Sequence, residues 1–168
     1  APQPNPFPSP NPFKPKVTQT PEPNHIFYYR ELGQYNPGRE VSQIKNDLKA
    51  ISYIPGVPGL ISQLDSAPLY PFIMGRKFES ERAIFFHNQQ MLQEVNSTST
   101  LYDILVTNMD PIKYVEVKWS AGAINKATLT KVITQARMHP TRTFLLETTW
   151  ITLPDQEFLY EAGGRKYP

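Results

Sequence analysis

Three charged side chains on two neighbouring predicted strands have the types and spacing needed for metal-assisted hydrolysis. Asp103 lies on a predicted strand over residues 101–107, and Glu116 and Lys118 lie on the next one, over residues 112–119. Because side chains alternate along a strand, Glu116 and Lys118 share one face of the predicted sheet. Carboxylate oxygens bind divalent cations and an amine adds positive charge, so this set can hold a metal ion that activates water.

The turn between the two strands decides whether Asp103 reaches this face. If residues 108–111 form the turn, Thr107 lies opposite Ile112, and counting back places Asp103 opposite Glu116. Directly opposed residues have Cβ atoms roughly 4.5–5.5 Å apart, and two carboxylates that close repel each other unless positive charge lies between them. A divalent cation is the usual solution. A slip of one residue would turn Asp103 to the other face.

The elements around this hairpin are predicted from periodicity and from turn residues. Hydrophobic spacing predicts helices over residues 39–52 and 124–138, and we also expect helices over residues 60–64, after a turn at 55–59, and over 76–88. Outside the hairpin, strands are predicted over residues 89–95, 142–149 and 157–160, the last before a flexible basic end. The core order helix-strand-strand-strand-helix-strand predicts an α/β (α+β) fold with a mixed central sheet, since a strand after a helical crossover can pair parallel to an earlier one.

Length and composition indicate one domain with an appendage. The chain has 168 residues, 39% of them apolar, a net charge of +2 and no cysteine. The absence of cysteine excludes disulfides, thiolate metal sites and cysteine nucleophiles. The three histidines are scattered, which argues against a histidine-rich zinc site. No apolar run approaches the roughly 18–20 residues of a membrane span. The N-terminus carries no signal-peptide pattern, and a start at Ala1 predicts a processed product or an excised fragment.

Residues 1–24 differ in composition from the rest of the chain. They hold nine of its eighteen prolines, no glycine, and the motif Asn-Pro-Phe twice, at Asn5 and Asn11. This predicts an extended, proline-rich arm, either a stiff linker or a segment that docks its phenylalanines on a partner. Residues 25–74 are predicted to be a helical extension that packs on the core, and residues 75–168 are predicted to form the core.

The residues of the core resemble the PD-(D/E)XK nuclease superfamily, which has the restriction-endonuclease-like fold. Asp103 matches the aspartate on the second core strand of this superfamily, and the run Glu116-Val117-Lys118 matches the motif on its third strand. Glu79 fits the glutamate that this superfamily often carries on the first core helix, and Gln135 fits a glutamine that some branches carry on the second. Tyr102 stands in place of the name-giving proline, at a position that varies. The resemblance covers residues 75–149 and leaves residues 1–74 unexplained.

The resemblance implies a mechanism. Asp103, Glu116, Glu79 and the carbonyl of Val117 would bind one or two Mg²⁺ (or Mn²⁺) ions, which would polarise the scissile phosphate and acidify a bound water. Lys118 would position or deprotonate that water, or stabilise charge on the phosphate. Gln135 would orient the substrate or Lys118. Four basic residues would contact the phosphate backbone without reading sequence: Lys126, Lys131, Arg137 and Arg142.

Each of these residues also has an explanation without catalysis. Glu116 and Lys118 can form an ordinary charge pair on a solvent-facing strand. Glu79 is a favourable charge in the first turn of a helix. Gln135 and the basic residues near it can form the solvated face of the second helix.

Three functions follow from these alternatives. The first is a Mg²⁺-dependent endonuclease acting on DNA or RNA. Its proline-rich linker suits the delivered C-terminal toxin domain of a bacterial antagonism system, secreted or delivered into a target-cell cytoplasm and paired with a cognate immunity protein. The second is a catalytically inactive nuclease-like subunit whose arm binds neighbours in a large assembly. The third is a DNA-binding module that keeps the fold without cleavage.

Overall fold

One mixed sheet organises the part of the chain that the structure describes. A computed structural model describes residues 26–33, 38–67, 70–96 and 102–168. Its elements in chain order are β1 (Phe27–Glu31), α1 (Val41–Ala50), α2 (Val57–Ser66), α3 (Phe72–Asn88), β2 (Leu92–Val95), β3 (Ile104–Met109), β4 (Ile112–Lys118), α4 (Lys126–Met138), β5 (Phe144–Thr148), α5 (Leu153–Glu161) and β6 (Gly164–Lys166). The predicted proline-rich arm, residues 1–24, lies outside the described residues.

The six strands follow the order β2-β3-β4-β5-β1-β6. The first three are antiparallel neighbours, whereas β5 runs parallel to both β4 and β1, and β6 runs parallel to β1. From α3 to β5 the elements follow the predicted order of helix, three strands, helix and strand. The predicted mixed α/β class with a mixed central sheet is therefore confirmed. None of the described helices is long and apolar enough to cross a membrane.

Two hydrophobic cores lie on the two faces of the sheet. On one face, α1, α2 and α3 bury Ile44, Leu60 and Phe78 against strand residues that include Val115 and Leu145. On the other face, the buried set comprises Leu129 and Ile133 of α4, Leu159 of α5, and the strand residues Phe27, Tyr29, Phe144 and Leu146. Phe144, Leu145 and Leu146 thus alternate between the two cores, as the pleat of a central strand requires.

Gly56 fixes the start of α2 against β2. Its φ of 90° lies in the left-handed region, and a Cβ at this position would lie 1.4 Å from the carbonyl oxygen of Val95. Only glycine fits this approach. The helix then begins at Val57 with a proline in its first turn, within the segment that was predicted as a turn. That prediction was wrong for Val57, Pro58 and Gly59.

The C-terminal region differs most from the predictions. Residues 157–160 form part of α5 and not a strand, because Thr152 caps the helix through its contact with the backbone N–H of Asp155, and Pro154 lies in the first turn. The basic end that was predicted to be flexible forms β6 on the edge of the sheet. β1 lies between β5 and β6, in an aromatic segment for which no strand was predicted.

Candidate active site

The β3–β4 hairpin has a register that differs from the predicted one at the turn and agrees with it at Ile104. Met109, not Thr107, pairs with Ile112, so the predicted turn was wrong. The register then shifts between Leu105 and Met109, where Asn108 has a φ of 57°, and Ile104 pairs with Val115. This shift in register compensates for a turn that is shorter than the predicted one. Asp103 lies just before β3, outside the paired residues, so its position opposite Glu116 stays a prediction.

Asp103 is held on β4 by two hydrogen bonds. Its backbone N–H donates to the carbonyl of Val115 at 3.0 Å, and its Oδ2 accepts from the backbone N–H of Val117 at 2.7 Å. The side chain also shares a hydrogen bond with Glu79. The carboxyl group of Asp103 therefore joins the hairpin to helix α3, which carries Glu79.

Two ion pairs complete the cluster. Lys118 Nζ lies 2.8 Å from Glu116 Oε2 on β4. Arg76 Nη1 lies 2.7 Å from Glu79 Oε1, one turn apart on α3. Three carboxyl groups and two cations from three separate parts of the chain thus meet in one place.

The pKa shifts reflect this crowding. Burial raises the pKa of Asp103 well above its ordinary value, and the charges of Glu116 and Glu79 raise it further. Burial also raises the pKa of Glu116, against the opposing effect of Lys118. Burial lowers the pKa of Lys118, but the attraction of Glu116, Asp103 and Glu79 outweighs it, so the net pKa is raised. The cluster therefore favours a proton on Asp103 and a charge on Lys118.

The oxygen donors of the cluster are of the kind that Mg²⁺ prefers, namely the carboxylates of Asp103, Glu79 and Glu116. In the described part of the chain, however, no three His, Cys, Asp or Glu side chains are arranged to hold a metal ion. Two of the three carboxylates are engaged in ion pairs, Glu79 with Arg76 and Glu116 with Lys118. The three carboxylates are thus suitable ligands for Mg²⁺ by their chemistry. To bind them, the ion would have to displace a proton and compete with two ion pairs.

An open cleft of about 510 Å³ adjoins the cluster. Its lining includes Glu79, Arg76, Val117 and Lys118 from the cluster and its neighbours. The rest of the lining is Tyr70, Pro71, Phe72, Gly75, Trp119, Ser120 and Ala121. Sequence reasoning assigned no site role to Tyr70, Phe72 or Arg76, because no local pattern marks them as neighbours of the cluster.

Asp103 and Glu116 do not line the cleft, and neither do the predicted site residues outside the cluster. Lys126 Nζ lies 4.7 Å from the centroid of the Phe158 ring, and the guanidinium of Arg142 lies 5.1 Å from that of Tyr114. Lys131 and Arg137 are exposed on α4, and Gln135 is half-buried on the same helix. None of these five predicted residues, Lys126, Lys131, Gln135, Arg137 and Arg142, lines the cleft.

Glu147 on β5 is a buried charge that sequence reasoning did not single out. It is fully buried and accepts hydrogen bonds from Arg30 of β1, the shorter at 2.6 Å, and from Arg82 of α3, both at 2.9 Å. Arg82 lies one turn along α3 from Glu79. This arginine–glutamate–arginine arrangement ties α3 to the centre of the sheet and so fixes the helix that presents Glu79 to Asp103.

Comparisons with protein-family models, with curated proteins and with solved structures gave no match to this chain. The resemblance to the PD-(D/E)XK superfamily stays a prediction from the sequence. The contacts of the cluster and its cleft are the observations on which a function can be based.

Proposed function

We propose that this chain is a metal-dependent nuclease that hydrolyses phosphodiester bonds in DNA or RNA. The observation that carries the proposal is the meeting of Asp103, Glu79, Glu116 and Lys118 beside an open cleft. Burying carboxyl groups against one another costs stability, and such arrangements with shifted pKa values concentrate at functional sites. An ordinary solvated charge pair on a strand would not bury Glu116, which is 9% exposed.

The carboxylates of Asp103, Glu79 and Glu116, with the carbonyl of Val117, are the groups that would hold the ion. When bound, Mg²⁺ or Mn²⁺ polarises the scissile phosphate and lowers the pKa of a bound water. The N–H of Val117 fixes the orientation of the Asp103 carboxyl group by binding one of its oxygens. The order of elements from α3 to β5 further supports the restriction-endonuclease-like interpretation.

Lys118 acts as a charged group in this proposal. Its raised pKa keeps it protonated at neutral pH, which favours stabilisation of negative charge on the phosphate over deprotonation of water. Its side chain is 40% exposed and lines the cleft, so the amine can reach a bound phosphate. Arg76 lines the same cleft and supplies a second positive charge.

Delivery as a toxin and pairing with an immunity protein stay predictions of the sequence. They rest on the proline-rich arm, which lies outside the described residues.

Cleavage assays test the proposal. Purified protein is incubated with plasmid DNA and with total tRNA in Mg²⁺, in Mn²⁺ and in EDTA, beside the variants Asp103→Ala and Lys118→Ala. Lys113→Ala serves as a matched control, because Lys113 is an exposed lysine of the same strand. We expect metal-dependent cleavage that both site variants lose and the control keeps. Folded wild-type protein that cuts neither substrate would favour the inactive-subunit alternative.

A further inference from the structure

Aromatic side chains form one wall of the cleft beside the carboxyl cluster. Tyr70 and Phe72 are 61% and 65% exposed, so both rings are open to solvent. Trp119 directly follows Lys118 on the chain and is half-buried. The rings of Tyr70 and Trp119 lie edge to face, with centroids 5.7 Å apart. Exposed ring faces thus lie next to the proposed hydrolytic groups.

Positive charge accompanies these rings. Arg76 and Lys118 line the same cleft, and their side chains are 41% and 40% exposed. Each also pairs with a carboxylate, so their charge is partly balanced inside the protein and partly directed to solvent. Aromatic faces beside exposed cations are the combination that binds unpaired nucleotides, since bases stack on the rings and phosphates lie at the cations.

We infer that this cleft binds the unpaired bases of a single-stranded DNA or RNA segment, and that such a segment is the substrate of the proposed nuclease. The inference deepens the proposed function and rests on it for the cleavage step alone. In a duplex, each base is stacked between its neighbours and its faces are covered, so Tyr70 and Phe72 could not stack on it. A cleft of about 510 Å³ is in the range of sites that take small organic groups, of which a nucleobase is one.

The aromatic residues of the wall lie close in the chain to the proposed hydrolytic groups. Trp119 follows Lys118 directly, while Phe72 and Arg76 lie one turn apart at the start of α3, the helix that also carries Glu79. Because Lys118 and Glu79 line the same cleft as the aromatic wall, a base held by the wall would have its phosphate within the same cleft as these two residues. Substrate choice would then follow from base accessibility and not from base sequence.

Tryptophan fluorescence can report binding without any cleavage. The chain has two tryptophans, Trp119 and Trp150, so the variant Trp150→Phe leaves Trp119 as the only reporter. This protein is titrated in EDTA with a single-stranded DNA oligomer, a single-stranded RNA oligomer of the same sequence, and the corresponding DNA duplex. Affinity is measured in parallel by the anisotropy of labelled strands.

We expect quenching of Trp119 and tighter binding of one or both single strands than of the duplex. Phe72→Ala and Tyr70→Ala should each weaken single-strand binding about tenfold, the usual effect of losing one stacking partner. Tyr53→Ala is the matched control, because Tyr53 is 72% exposed and lines a different cleft, and its removal should leave affinity unchanged. Since all three side chains are exposed, thermal unfolding should show that each variant folds.

Two results would overturn the inference, whether or not the protein cuts. One is equal affinity for duplex and single strands, and the other is no loss of affinity in Phe72→Ala and Tyr70→Ala. Single-strand binding without any metal-dependent cleavage would instead uphold the binding site and reject the nuclease. The two claims therefore fail on different measurements.

Discussion

Asp103 accepts a hydrogen bond from the backbone N–H of Val117, at 2.7 Å, across the β3–β4 hairpin. Val117 lies between Glu116 and Lys118 on β4, so this bond fixes the Asp103 carboxyl group next to both charged residues. The second contact of Asp103, with Glu79, brings in helix α3. One aspartate thus connects every element of the candidate site, and its removal is the most informative change.

Asp103→Asn should abolish cleavage and stabilise the protein at neutral pH. The amide can still accept from Val117 and can donate to Glu79, so it imitates protonated Asp103. Because the folded pKa of Asp103 is raised above its ordinary value of 3.8, the folded state is increasingly disfavoured as pH rises from about that value through the folded pKa. The variant escapes this cost, so its advantage should be present at pH 7 and vanish near pH 3.8.

Thermal unfolding of wild type and variant over this pH range measures the effect. A lower Tm for Asp103→Asn at neutral pH would contradict the raised pKa of Asp103, and full activity in the variant would show that Asp103 takes no part in the chemistry.

Lys118→Met should reduce cleavage by about 10²-fold or more, the typical loss when one group that stabilises transition-state charge is removed. The side chain is of similar length and lacks the charge. Lys113→Met on the same strand should change the rate little, because Lys113 is exposed and lies outside the cleft lining. Initial rates at saturating Mg²⁺ give the comparison, and similar losses in both variants would remove Lys118 from the site.

Glu79→Gln should weaken metal-dependent cleavage, while Glu81→Gln should not. The two glutamates lie on α3 with side chains 14% and 16% exposed, and each pairs with an arginine, Arg76 or Arg39. They differ in that Glu79 contacts Asp103. The Mg²⁺ concentration giving half-maximal rate should therefore rise only for Glu79→Gln. An equal rise in both would point to a general effect of charge on the helix.

Glu147→Ala should destabilise the fold by about 3–5 kcal/mol, because it leaves Arg30 and Arg82 without their buried partner. Asp47→Ala removes an exposed partner of Arg39 and should cost only about 0–1 kcal/mol. Denaturant unfolding gives both values. A loss below about 1 kcal/mol for Glu147→Ala would mean that Arg30 and Arg82 are readily rehydrated when it is gone.

The hairpin could be predicted because strand alternation is local and strong. The register at Ile104 came out as predicted for a partly wrong reason, since the turn is shorter than predicted and the irregularity at Asn108 compensates. A positive φ at one asparagine is not visible in a hydrophobic pattern. The order from α3 to β5 was likewise readable, because hydrophobic spacing marks α4 and turn residues separate the other elements.

The missed features depend on residues far apart in the chain. β1 is a strand because it pairs in parallel with β5, and its Arg30 meets Glu147 across 117 positions. No local pattern contains that pairing. Residues 157–160 have strand-forming composition, but the cap at Thr152 and Pro154 begins a helix that continues through them. The aromatic wall of the cleft was missed because Tyr70 and Phe72 acquire a role only when folding places them in one cleft with Trp119.

Binding of Mn²⁺ measured by calorimetry tests most directly whether the carboxyl cluster is a cation site. Wild type, Asp103→Asn and Glu81→Gln are titrated at mildly alkaline pH, where the proton on Asp103 competes least with the ion. We expect binding to wild type and Glu81→Gln and none to Asp103→Asn, whose fold is verified by its Tm. Absence of binding to folded wild-type protein, or equal binding to Asp103→Asn, would contradict the proposed metal site and the nuclease built on it.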